Sequence, residues 1–204
     1  MSEGVVPRDH AVRRVARLVA VLNLGYFGVE FAVALAIGSV ALFADSVDFL
    51  EDAAVNLLIF VALGWSARRR ATVGMALAGV LLVPGLATLW ALWHKIGHPV
   101  PPDPRRLSWT GAGALAVNLT CALLWARARR DRDGRPGSLT RAAFLSARND
   151  VAANVAVIAA GLVTAVTRAA WPDVVVGLGI AALNADAARE VYAAARAERR
   201  AAVT

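Results

Sequence analysis

The chain has 204 residues, of which 58% are hydrophobic and 18% charged, with a mean hydropathy of +0.56. A domain of this size cannot hide so much apolar surface from water, so the surplus must face lipid, which excludes a cytosolic enzyme and a disordered tail. The one cysteine, Cys121, cannot form the internal bridges of a secreted scaffold, and the net charge of +7 raises nucleic acid only until the arginines are placed.

A bilayer core about 30 Å thick takes about 20 mostly apolar residues per helix, and six segments qualify. The first, 15–37, ends at a tight Gly38–Ser39 turn. Its apolar stretch is long for a signal peptide and contains Asn23 and Glu30, so a retained helix is predicted. The second, 40–65, stops at Arg68-Arg69-Arg70, and the third, 71–93, holds Pro84, which predicts a kink. A proline-rich loop, 98–104, precedes the fourth, 109–126. The charged, glycine-containing segment 131–137 separates it from the fifth, 139–166. The sixth, 171–191, opens on Trp171-Pro172-Asp173, with proline in a helix's first turn.

Basic residues sort by side. Arg8, Arg13, Arg14 and Arg17, the Arg68–Arg70 run, the arginines between the fourth and fifth spans, and Arg189, Arg196, Arg199 and Arg200 fall on one face. Lys95, Arg105, Arg106 and Arg168 fall on the other. The positive-inside rule then puts both termini in the cytoplasm, in agreement with an even span count. The predicted fold is an all-α membrane protein of six transmembrane helices, with a tail over 1–14, a six-helix transmembrane domain over 15–191 and a tail over 192–204. The basic charge is topology, and no nucleic-acid partner is expected.

The second and fifth spans share a pattern. Asp48-x-x-x-Asp52-x-x-x-Asn56 matches Ser146-x-x-x-Asp150-x-x-x-Asn154 at one constant offset, and Asn23 and Asn118 hold similar places in the first and fourth. Halves of three helices must cross in opposite directions, which predicts a 3+3 inverted repeat with a midplane site.

Carboxylates at bilayer depth cost several kcal/mol each and mark cavities or partners. The second span carries Asp45, Asp48, Glu51 and Asp52. Helical rise puts Asp48 about 13 Å from the outer face, and Asp150 about 14 Å. Asp48, Asp52 and Asp150 can therefore converge, and three such groups do not all ionise without a counter-charge. Protons or a divalent cation must supply it, and a site that exchanges one for the other is a proton-coupled metal carrier. The competing reading is a set of protonated carboxyls hydrogen-bonded between helices. All-oxygen ligands favour manganese or iron, with zinc, cobalt and cadmium left open. No tightly bound cofactor is expected.

The run Ser39-Val40-Ala41-Leu42-Phe43-Ala44-Asp45-Ser46-Val47-Asp48, followed by Asp52, resembles the second-helix signature of the cation diffusion facilitator family. Asp150-x-x-x-Asn154 and the six-helix topology fit it too. The resemblance implies export of divalent transition metals from the cytoplasm against protons, by alternating access, in the plasma (inner) membrane. It implies a site at Asp48, Asp52, Ser146 and Asp150, with Asp45 beside it. Three departures stand out. Ser146 occupies a place usually held by histidine or aspartate, so the fourth ligand is weak or comes from water, Asn154 or Asn149. Glu51 is an additional carboxylate. The chain ends soon after the sixth span, so the family's usual cytoplasmic C-terminal domain, which joins two protomers, is expected to be absent. Lipid, a divalent cation and protons are the expected partners, and a homodimer stays open.

Other residues carry weaker readings. Glu30 carries protons, lines the outer path or bonds between helices. Asn23 and Asn118 make helix–helix contacts. Arg148 meets a buried acid such as Glu51, and Asp186 sits near an exit path or in solvent. His94 and His98 are spaced i, i+4, but Gly97 and Pro99 are expected to break the helix there. An intramembrane prenyltransferase would also use paired aspartates, but it needs more helices and more basic residues at depth. A transport-inactive metal-binding membrane protein, used for sensing or assembly, remains the alternative to a secondary active transporter.

Overall fold

The computed structural model describes the backbone of residues 6–62, 65–130 and 138–201. Side chains are described for 11–61, 85–128 and 149–185, and for Trp65, Ser66, Arg69, Thr72, Val73 and Arg189. The order is α1 (Val6–Ile37), α2 (Val40–Ala62), α3 (Ala67–Gly97), α4 (Pro104–Arg130), α5 (Ser138–Thr167) and α6 (Trp171–Ala201). Among the described residues there is no strand.

Most helices run past the apolar spans read from the sequence, because hydropathy marks what lipid contacts and hydrogen bonding continues beyond it. α4 begins at Pro104 rather than at residue 109. Asp103 caps it, accepting from Arg106 N at 2.9 Å, and Pro104 takes the first helical position, where an amide hydrogen has no partner to lose. α3 continues through Gly97, and the His98 amide donates to His94 O at 3.0 Å. The expected break is there: His98 is the C-cap, with non-helical φ −134 and ψ 74, and Pro99 follows where a helix cannot continue. α2 is described to Ala62, and residues 63–64 before the expected boundary lie outside the described residues. The expected kink at Pro84 concerns a side chain outside the described residues.

The α1–α2 junction follows from two residues. Gly38 adopts φ +63, a left-handed conformation that glycine reaches without steric cost. This lets Ser39 N donate back to Ala34 O at 3.0 Å, the closing bond of a Schellman-type end. Ser39 then starts α2, its Oγ accepting from Leu42 N at 3.1 Å.

Three stretches are long and apolar enough to cross a membrane by length and composition: Ala11–Ile37, Pro104–Ala128 and Asn149–Thr167; a shorter apolar run covers Trp171–Ala185. α2 carries four carboxylates in 23 residues, which lowers its apolar character where the chemistry is concentrated. α1 packs on α2 and α4, α4 on α5, and α3 on α6, with α2 also against α6. One core cluster joins Leu42, Leu107, Val157 and Ile180 near the Gly38 end, and a second joins Val19, Ile59 and Trp125 at the other. Close approach depends on small residues. A Cβ at Gly177 would lie 2.9 Å from Val40 C, and one at Gly111 2.9 Å from a Val157 methyl group. Trp90, Trp93, Trp109 and Trp171 are exposed, as an aromatic belt requires.

Candidate ion site

Helical spacing puts Asp45, Asp48 and Asp52 on neighbouring stripes of α2, and packing turns them toward α1, α5 and α6. Asp45 is fully buried. Its Oδ2 accepts from Asn154 Nδ2 at 2.7 Å, and Asn154 Oδ1 accepts from Asn118 Nδ2 at 3.0 Å. A chain of side chains thus runs from α2 through α5 to α4, and in this conformation both ends of the Asn154 amide are engaged. Asp45 Oδ1 has no hydrogen-bond partner.

Two pairs of carboxyls form around this chain. Asp48 and Asp150 are within hydrogen-bonding reach of each other across α2 and α5, as are Glu30 of α1 and Asp45. Two carboxyls meet in this way only when a proton, or a cation in its place, lies between them. Glu30 is fully buried with no donor to either oxygen, and Asp150 Oδ2 also has none. Among the described residues, no lysine or arginine pairs with Glu30, Asp45, Asp48 or Asp150.

Asp52 and Glu51 are half-buried. The Asp52 main-chain carbonyl accepts from Asn56 Nδ2 at 2.8 Å, and its carboxylate lies near enough for its charge to act on Asp150. The side chains of Ser146, Arg148 and Asp186 lie outside the described residues. Asn23 meets Cys121 Sγ at 3.9 Å, a contact between α1 and α4. Among the described residues, no three carboxylate, imidazole or thiol groups converge tightly enough to hold an ion unaided.

Asn184 of α6 was not legible as part of this cluster. Its amide reaches Ala44 O at 3.3 Å in one orientation. Turned over, its NH2 donates to Asp48 Oδ1 and to Ile180 O, each at 3.1 Å. The available signal was a single amide in an otherwise apolar stretch of the sixth span.

A second buried acid lies at the Gly38 end. Asp173, in the first turn of α6, is fully buried. It accepts from Ser39 Oγ at 2.6 Å, Val40 N at 3.0 Å and Ala41 N at 3.1 Å. Lys95 of α3 stands 3.5 Å from it and donates to Gly38 O. Asp173 therefore caps α2 from another helix, with a lysine balancing its charge. Gly177, one turn along α6, permits the close approach.

The family model for the cation efflux transmembrane domain matches residues 16–195. Among curated proteins none matches.

Proposed function

The chain belongs to the cation efflux family, whose members are multi-pass membrane cation transporters rather than enzymes, and from that premise we propose a proton-coupled divalent metal exporter working by alternating access. The observation that carries this reading is the Asp48–Asp150 pair, two carboxyls from α2 and α5 in mutual reach without a fixed cation among the described residues. Such a pair carries one negative charge with a proton between its oxygens, and it becomes a doubly charged ion ligand when the proton leaves. Asp52 adds charge beside it, Ser146 lies one turn before Asp150, and Asn154 holds Asp45.

In this reading all six helices span the inner membrane as a 3+3 inverted repeat, with 15–191 as the transport domain. Both termini are cytoplasmic, and the Gly38 end faces outward. The Asp173 network then lies at the outer face. Oxygen ligands favour manganese or iron over nitrogen-seeking zinc. Cobalt and cadmium stay within reach of the same donors.

The test is a proteoliposome assay with an internal pH dye, adding manganese, iron, cobalt, zinc, cadmium and magnesium in turn. Metal-driven proton movement that vanishes in Asp150→Ala is the expected result. Silence with every metal, in protein shown to be folded, overturns transport in favour of a metal-binding role in sensing or assembly.

A further inference from the structure

We infer that Asn184 of α6 is a specificity-determining member of the ion site, giving its amide oxygen to the transported cation beside Asp48. The inference rests on the proposed site at Asp48 and Asp150, and extends it to a third helix. Asn184 is half-buried, and one end of its amide is set against Asp48. With the NH2 group turned to Asp48 Oδ1 at 3.1 Å, the amide solvates the empty carboxylate. A half-turn of the amide would give its NH2 group to Ala44 O at 3.3 Å and set its oxygen against two acceptors, Asp48 Oδ1 and Ile180 O, an arrangement that needs a cation.

Two acceptor oxygens at that separation repel unless something positive lies between them. Adjacent oxygen ligands of an octahedral ion at about 2.1 Å stand about 3 Å apart, and the end of the amide that faces Asp48 Oδ1 stands 3.1 Å from it. An amide is suited to this exchange, because its two ends differ in polarity and a half-turn swaps donor for acceptor. Ala44 O takes the freed NH2 group, so neither orientation leaves the amide nitrogen unbonded.

A third helix also answers a shortage. No three carboxylate, imidazole or thiol groups among the described residues can hold an ion unaided, and serine at 146 is a poor ligand beside histidine or aspartate. A neutral amide oxygen adds a hard donor without adding charge, which favours manganese and magnesium over zinc. Since α6 packs with α3, an ion held by Asn184 also couples occupancy to that helix pair.

The test measures manganese and zinc binding to the purified full chain in detergent, and the transport KM of each ion in proteoliposomes. It compares wild type with Asn184→Ala, Asn184→Asp and Asp150→Ala. Asn184→Ala is expected to weaken manganese binding about tenfold to a hundredfold, the usual effect of losing a supporting polar group at a metal site. Zinc should be affected less, so the manganese-to-zinc ratio falls. Asn184→Asp keeps the shape, tightens manganese binding and slows its release. A purely structural amide would shift thermal unfolding without moving the metal ranking. Wild-type affinity and ranking in Asn184→Asp, in a chain whose transport depends on Asp150, would overturn the inference and leave the exporter standing. No ion-dependent signal from wild type would instead overturn the exporter, and the inference with it.

Discussion

Asp173 and the Asp48–Asp150 pair are both acids in one apolar bundle, and their surroundings differ in kind. Asp173 has three fixed donors at the start of α2 and a lysine at 3.5 Å. The positive end of the α2 dipole adds to this. Everything that neutralises Asp173 belongs to the protein. At the mid-bundle cluster, Asp150 Oδ2, Asp45 Oδ1 and both Glu30 oxygens lack a donor, and carboxyls face each other. In the proposed function, what neutralises these arrives and leaves. A buried carboxylate is thus read by its partners: fixed ones make it structural, and missing ones mark it as a candidate for exchange.

The comparison breaks most sharply through substitution. Asp150→Ala should reduce metal-driven proton flux to the liposome background while the protein stays folded and inserted, as near-normal thermal unfolding in detergent would show. Wild-type flux would remove the pair from the site. Asp173→Ala should do the reverse in kind, costing about 3–5 kcal/mol because Lys95 is left uncompensated in a buried place. Thermal unfolding in detergent measures this, and an unchanged midpoint would mean that the cap contributes nothing.

Smaller changes sharpen the contrast. Gly177→Ala should cost about 1–3 kcal/mol, since its Cβ would meet the main chain of Val40 and Ala41, which cannot swing aside as a side chain would. Asp45→Asn should change stability by no more than about 1 kcal/mol while slowing transport, because the new amide can keep its oxygen on Asn154 Nδ2 and offer its NH2 group to Glu30; unfolding midpoint and flux read the two effects separately. Ser146→His should move transport preference toward zinc by adding a nitrogen ligand. An unchanged metal profile would mean that residue 146 does not face the ion.

Much of the bundle is legible in the chain because its causes are local. Gly38 followed by Ser39 specifies a left-handed helix end and a cap, and Pro172 specifies a first turn. The i, i+4 spacing of Asp48 and Asp52 specifies a shared side of α2 before any packing exists. The break at Gly97 and Pro99 is local as well, and α3 ends there; the apolar span stops earlier, at residue 93, because hydropathy marks the end of an apolar stretch and not of a hydrogen-bonded helix.

The partners of each acid are another matter. Lys95 reads as one more charge on the less basic side, and Asp173 as an ordinary first-turn acid, yet helix packing buries both against Gly38 and Ser39. Asn184 reads as a lone amide in an apolar span until α6 brings it to Asp48. Asn154 reads as a further oxygen ligand, while its amide stands between Asp45 and Asn118.

The sequence by itself determined that the protein is helical and lipid-facing, and that carboxylates lie within its apolar spans, because composition and helical period act along a single chain. Only the tertiary structure decided which of those carboxylates have fixed partners and which face one another. That depends on contacts between helices far apart in sequence, where a rotation of one helix by a single residue would exchange one set of neighbours for another.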